Sequence, residues 1–389
     1  MLAGLCGCTH APAPDIDAGG SSESTSAAPS DGESASSGSA SAPARALPST
    51  YVIRGAHVVG IGDVDVLVRQ GQIAALGAEA TEQAGVFAVD HTGMFLVPAF
   101  VDSHVHLSYA FDAQTLAAGG VAMAVDLAAP IESLALSSAP LRLLGAGPMI
   151  TAVDGYPTQT WGAGGFGLEV DGVAEVRAAV DRIVDAGAGV IKVPIGDAPE
   201  LDDAELAALV ARAHERDRKV VAHALADADA MRAANAGVDV LAHTPTEALG
   251  DATITAWSTR AVISTLDAFG AQPSTIDNLK RLREAGCTVL YGTDLGNTGI
   301  PAIDPNEIDA LRAAGLSGAD ILEVGTVVPA KFWGFTGGGV IEVGARASLL
   351  VLAADPRKDP QTLTEPVTVY IDGEAQPPSW TAGGGIKNH

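Results

Sequence analysis

The chain has 389 residues, of which 47% are hydrophobic, 18% charged and 4% aromatic. That is enough apolar material for one large domain or two to three smaller ones. A net charge of −25, from 47 Asp+Glu against 22 Lys+Arg, argues against nucleic acid as a partner, because phosphate binding needs clustered cations.

The first fourteen residues read MLAGLCGCTHAPAP. Leu5-Cys6-Gly7-Cys8 resembles a bacterial lipobox, with Cys8 as the lipidated residue. It departs from that pattern in lacking a basic stretch and in having a short apolar segment. Residues 15–48 are rich in Ser, Ala, Gly and Pro and hold too little apolar surface to fold. Together they suggest a disordered tether behind a lipid anchor, hence membrane attachment through Cys8 and a place in the bacterial cell envelope, lipid-anchored or periplasmic. The plainer reading is a random tail on a cytoplasmic protein. No later segment has the length of a charge-free membrane span.

Residues 51–53, 64–68, 72–76 and 86–89 have the texture of short strands between turns, and so do 339–344, 348–352 and 367–373. Two strand-rich ends around a different middle suggest one small β domain built from both termini. In the middle, residues 94–101 (MFLVPAFV) read as a buried strand leading into Ser103-His104-Val105-His106. Side chains on a strand alternate, so His104 and His106 share a face. Such a pair makes a metal site more natural than two structural imidazoles, although the motif alone is weak.

Strand candidates lie at 98–103, 119–127, 143–152, 189–195, 219–224, 238–243, 261–266 and 288–293. Helical periodicity fills 173–186, 202–216 with Asp caps, and 274–285 with Ser274 as N-cap. Eight strands alternating with helices predict an α/β fold, a (β/α)8 TIM-type barrel carrying the small β-sandwich. The expected division is a linker at 1–48, a sandwich from 49–97 and 334–376, a barrel at 98–333 and a tail at 377–389. Cys287, in GCTVLYG, reads as a buried free thiol, and three Cys make no disulfide framework.

Barrel chemistry gathers at the C-terminal strand ends. There the sequence places His104 and His106 (first strand), Lys192 (fourth), His223 (fifth), His243 (sixth) and Asp294 (eighth). Singly, each has a structural explanation. A lysine among Val190, Ile191, Val193 and Ile195 is costly to bury charged. His223 and His243 alone suit core positions, and Asp294 alone suits a cap. The remaining histidines do not converge: His10 and His389 lie in the tails, His57 and His91 in the β ends, His214 on a helix.

In that order, VPAFVDSHVHL, VIKV, VAHA, VLAHT and YGTD resemble the amidohydrolase superfamily over roughly residues 50–373. The stretch GVIEVGARASLLVL at 339–352 resembles that family's closing β segment, with Ser348 where Asp is usual. The resemblance implies that His104, His106 and Asp294 bind one metal and His223 and His243 a second. It implies that Lys192, carboxylated by carbon dioxide, bridges the two. Imidazole and carboxylate ligands suit zinc, with manganese or nickel as alternatives. Burial in an apolar strand favours the neutral lysine that carbamate formation needs. The implied reaction is hydrolysis of an amide, dipeptide, lactam or ester by hydroxide held between the metals, with Asp294 moving the proton. The lysine pattern most resembles the imidodipeptidase-like binuclear branch.

Substrate contacts belong to the strand-end loops. Residues 153–167 (VDGYPTQTWGAGGFG) offer Tyr156, Trp161 and Phe166 as a wall, and Tyr109, Asp267 and Asn297 follow other strands. No Arg near a strand end clearly awaits a substrate carboxylate, which argues against a dipeptidase acting on a free C-terminus. The alternatives are a mononuclear deaminase of the same superfamily, which Lys192 argues against, and a non-catalytic surface lipoprotein, which the intact ligands argue against. The partner is a small molecule, and oligomerisation is left open.

Overall fold

The structure is a computed structural model that describes residues 47–83, 85–109, 112–196 and 198–377. These lie within one compact unit, Ala44–His389. Cys6, Cys8, the tether up to residue 46 and the tail from residue 378 lie outside the described residues. Among the described residues no helix is long and apolar enough to cross a membrane.

The middle of the chain is α/β. Five parallel strands stand in the order Val190–Pro194, Lys219–His223, Val240–Leu241, Ala261–Ile263 and Thr288–Leu290. Three more, Phe100–Val105, Val121–Asp126 and Arg142–Gly145, form a second parallel sheet. Phe100–Val105, Val121–Asp126 and Val190–Pro194 are buried throughout, as apolar strands covered on both faces require, while Arg142–Gly145 is half-buried. Individual hydrogen bonds join the two sheets at both edges. On one side Ser103 N donates to the Tyr291 carbonyl (2.9 Å), Asp294 N to that of His104 (2.8 Å) and His106 N to that of Leu295 (2.7 Å). On the other, Gly189 N donates to the Gly145 carbonyl (3.0 Å). The strands are therefore several parallel sheets, not one continuous closed ladder.

The helices follow from their apolar spacing. Gly172–Asp185 buries Val176, Ala179, Val180, Ile183 and Val184, and Asp203–Glu215 buries Leu206, Leu209, Val210 and Ala213. The second opens on a capping box: Glu205 N donates to Asp202 (2.8 Å), and Asp202 N to the Glu205 carboxylate (2.8 Å). Such a cap contributes about 1 kcal/mol.

Four expectations need correction. Residues 94–101 are two strands in different sheets. Phe95–Pro98 pairs antiparallel with Leu349–Leu352, while Phe100–Val105 enters the parallel sheet after a break at Ala99. Residues 143–152 are also two strands. Gly147, at φ 68°, and Pro148, without an N–H, interrupt them, and Met149–Ala152 pairs instead with Gly167–Val170. The long loop is thus 153–166. Residues 339–344 are irregular, with Gly339 and Gly344 at φ 72° and 93°, a left-handed backbone that a strand does not accept. Ser274 is not the N-cap: Pro273 opens that helix after Gln272, and Ser274 Oγ donates to the Thr246 carbonyl (2.7 Å).

The two chain ends form a four-stranded and a six-stranded sheet. Tyr51, Ile53, Val66, Val68 and Ile73 of the first share one core with Val58, Leu96, Leu349, Val351 and Tyr370 of the second. His57 pairs with Asp63 there (2.7 Å), and His91 meets the Tyr370 hydroxyl (2.8 Å). His214 pairs with Asp239 on a helix (2.9 Å). None of these three reaches the strand ends. Cys287 is a buried free thiol, its pKa pushed up to about 12 by burial.

Candidate metal centre

His104 and His106 lie at the end of Phe100–Val105, where strand alternation turns both inward; they are 0% and 3% exposed. His104 Nδ1 lies 2.9 Å from the Ala242 carbonyl, which can only accept. That fixes the proton on Nδ1 and leaves Nε2 with a free lone pair. His104 Nε2 stands 3.2 Å from His106 Nε2. Asp294 Oδ1 lies 3.4 Å from the first and 3.1 Å from the second.

Asp294 is set by its surroundings. Its φ of 56° is left-handed for a residue with a side chain, a strain kept where the fold over-determines the position. Gly292 and Gly296 bracket it. A Cβ on Gly292 would lie 2.4 Å from Ile263 Cγ2, and one on Gly296 would lie 2.9 Å from His106 Cβ. The segment can therefore approach the first strand only with glycine at both places. Asn297 Nδ2 donates to Asp294 Oδ2 (3.0 Å), while Oδ1 has no hydrogen-bond partner.

His223 closes Lys219–His223, and His243 follows Val240–Leu241. The His243 ring lies 4.6 Å from that of His104 and 4.9 Å from that of His223. His243 Nδ1 is 3.0 Å from Thr265 Oγ1, and Thr265 also takes a positive φ, 39°. Lys192 sits inside Val190–Pro194, fully buried, its Nζ without a hydrogen-bond partner. The strand-end residues His104, Lys192, His223, His243 and Asp294 sense one another electrostatically.

Burial, then the nearby Lys192, depresses His104 strongly and takes His223 down to about 4. Burial and then His104 depress His243. Burial also brings Lys192 down to about 7. Burial works to raise Asp294, yet the neighbouring His104, His106 and His243 hold it well below the usual carboxylate range. The resulting state, with His104, His223 and His243 neutral beside an ionised Asp294, is the one a divalent cation requires.

The donor set fits such an ion. Among the described residues, His104, His106 and Asp294 form the group of ligating side chains whose donor atoms all lie within 4.8 Å of one another. Ligands about 2.1 Å from a shared ion in tetrahedral array lie roughly 3.4 Å apart, close to the spacings seen. An ionised carboxylate oxygen crowded against two buried imidazole nitrogens is costly in a low-dielectric site unless a positive charge neutralises it, which a divalent cation would do.

The comparisons with known proteins agree with this chemistry. The sequence model of the amidohydrolase family matches residues 95–375. The chain belongs to the amidohydrolase family. An uncharacterised protein of Mycobacterium tuberculosis (strain ATCC 25618 / H37Rv) is 26% identical over 370 residues, spanning 84% of this chain and 96% of its own. An adenine deaminase of Deinococcus deserti is 27% identical over 370 residues, spanning 86% of this chain and 62% of its own. The crystal structure of a Xaa-Pro dipeptidase with bound methionine superposes with a TM-score of 0.72 at 19% identity, over 84% of this chain and 99% of that one. This amidohydrolase is accordingly an enzyme, a hydrolase acting on carbon–nitrogen bonds, with the α/β fold of its family.

Of the substrate-contact candidates, Tyr156 and Trp161 lie over the site. Trp161 Nε1 donates to the Tyr156 hydroxyl (2.8 Å), and the indole lies 5.4 Å from the His106 ring. Asn297 holds Asp294. Asp267 opens a short turn and accepts from Asn306 Nδ2 (3.4 Å), and two residues on Phe269 packs 5.0 Å from His243.

Sequence reading passed over three buried carboxyls. Asp102 is 0% exposed; Oδ1 accepts from His104 N (3.0 Å) and Thr293 N (3.1 Å), and Oδ2 from the Thr293 hydroxyl (2.6 Å). It ties the His104 backbone to the residue beside Asp294. Its position two before His104, on the same strand face, was the available signal. Asp126, ending Val121–Asp126, is raised to about 6 by burial. Glu307, 0% exposed, accepts from Asp267 N (2.8 Å) and so anchors the turn that carries Phe269.

Proposed function

We propose that this amidohydrolase is a two-metal hydrolase of an amide-type bond: amide, dipeptide or lactam, or an ester. The observation that carries the reading is the buried triangle of His104 Nε2, His106 Nε2 and Asp294 Oδ1 at 3.1–3.4 Å. These three would hold one divalent ion, with zinc the best chemical match. His223 and His243 would hold the second. Lys192 would join the two as a carbon dioxide-derived carbamate, which the buried, unpartnered and easily neutralised amine supports. When bound, such ions acidify water and polarise a carbonyl.

The chain's own part is positional. Asn297 orients Asp294 Oδ2, the atom proposed to take the proton of the attacking water. The same oxygen then passes it to the leaving nitrogen as the carbon–nitrogen bond breaks. We also read the parallel strands as one eight-membered barrel, residues 98–333, and the two terminal sheets as the sandwich, 49–97 with 334–376. Membrane attachment through Cys8 belongs to the same proposal.

A mononuclear deaminase is the competing reading, supported by the similarity to an adenine deaminase. The zinc-loaded full chain, offered acylated amino acids, dipeptides and lactams, separates the two. Hydrolysis lost in Asp294→Asn supports the proposal. Ammonia release from adenine at one metal per chain contradicts it.

A further inference from the structure

The loops that follow the parallel strands contain no cation. Residues 106–112, 127–141, 146–148, 153–166, 195–202, 224–226, 242–250, 264–272 and 291–304 hold none of the 22 Lys+Arg. They do hold acids, among them Asp112, Glu132, Asp154, Glu200, Glu247 and Asp267. Basic residues stand at the opposite strand ends: Arg142 and Lys219 open two strands, and Arg260 precedes a third. Arg232 and Arg281 reach the loops from outer helices and are already engaged. Arg232 pairs with Glu200 and Asp203, both at 2.7 Å. Arg281 pairs with Asp251 (2.7 Å) and donates to the Leu249 carbonyl (2.6 Å).

The same mouth is aromatic, in a chain with only 4% aromatics. Trp161 packs on His106 and also meets Tyr109 (5.8 Å), Tyr156 (6.1 Å) and Phe166 (5.6 Å), and Tyr156 itself lies 5.5 Å from the His223 ring. Phe166 is buried with Ala128 and Met149 and so anchors the loop. Tyr109, which meets Trp161 and Phe166, still stays 42% exposed, and Val153 is 50% exposed. A ring placed only to fill the loop has no reason to lean on a metal-ligand candidate or to stay open to water.

We propose that the site recognises an apolar, aromatic-bearing substrate without negative charge, and disfavours one with a free carboxylate. The inference rests on the proposed carbon–nitrogen hydrolysis and names its substrate class. In R–CO–NH–R′ the water oxygen bonds to the carbonyl carbon, the carbon–nitrogen bond breaks, and the nitrogen leaves with a water proton as R′–NH2. Beyond the metal centre, the acid product meets no Lys or Arg in these loops.

The test uses the zinc-loaded full chain and three amides: N-benzyl-2-phenylacetamide, its 4-carboxybenzyl analogue and N-methylacetamide. The neutral aromatic amide should exceed N-methylacetamide in kcat/KM by at least about 30-fold. It should exceed the carboxylated analogue by about 10-fold at low salt, a gap that narrows as salt rises. Trp161→Ala should shrink the first ratio below about 5-fold. Should no amide be cleaved, the same ranking in calorimetric affinity supports the inference while the hydrolysis reading falls. The inference is overturned if the carboxylated analogue matches the neutral one, if N-methylacetamide comes within about 3-fold of it, or if none of the three binds.

Discussion

Replacing Lys192 with Met should stabilise the metal-free protein while abolishing its chemistry. Lys192 is fully buried, and its Nζ has no hydrogen-bond partner. Burial brings its pKa from 10.5 to about 7. That displacement corresponds to a cost of about 4–5 kcal/mol for the charged form. The sign is that of a base depressed on folding: the cost is full below about pH 7 and disappears as pH rises towards the unfolded value. Met fills nearly the same volume without a charge. That net figure already includes the attraction to Asp294, and imperfect repacking around Met offsets part of it, so Lys192→Met should stabilise by about 2–4 kcal/mol at pH 7. Urea unfolding in excess chelator at pH 7 and pH 10 measures it, and the two proteins should converge at the higher pH. Activity after zinc loading should fall by at least about 100-fold, because the proposed bridging ligand is gone. A Lys192→Met protein less stable than the parent in chelator would mean that the ammonium is paired in the fold, and the reasoning would be wrong.

Asp102→Ala should cost about 3–6 kcal/mol, since it strands the buried N–H groups of His104 and Thr293 and the Thr293 hydroxyl. Chemical denaturation measures that, and a cost below about 1 kcal/mol would remove Asp102 as the tie between first and last strands. Glu307 is raised to about 8 by burial, with Asp304 adding to it. Its folded pKa lies above the unfolded one, so the fold binds the extra proton, and stability falls as pH rises from about 4.5 to about 8, by about 5 kcal/mol at most. Glu307→Gln, which keeps the acceptor for Asp267 N, should flatten that slope relative to the parent in denaturation curves taken across the same range.

Much of the site was legible because its residues interrupt apolar strands. A strand buried on both faces gives a histidine, lysine or aspartate no cheap place, so His104, His106, Lys192, His223, His243 and Asp294 stood out. The structure sets His104, His106, His223, His243 and Asp294 close together with Lys192 in electrostatic reach, and among the described residues the tight donor group is His104, His106 and Asp294. The breaks were less legible. Residues 94–101 are uniformly apolar, and only pairing partners distant in sequence decide that Phe95–Pro98 belongs to Leu349–Leu352. Gly147-Pro148 carried a break signal that apolar neighbours masked. Asp102 and Glu307 escaped notice because their partners are backbone N–H groups far along the chain, at Thr293 and Asp267. Ser274 misled as a cap because Pro273 could open the helix itself.

The central claim is that His104, His106 and Asp294 hold a divalent ion beside a second one. Elemental analysis of the purified full chain, reconstituted with zinc and dialysed, tests it most directly. The account predicts two zinc ions per chain, falling to one or none in His104→Ala with the fold retained by circular dichroism. Zinc no higher than in a dialysed control, or an unchanged count in His104→Ala, would contradict it.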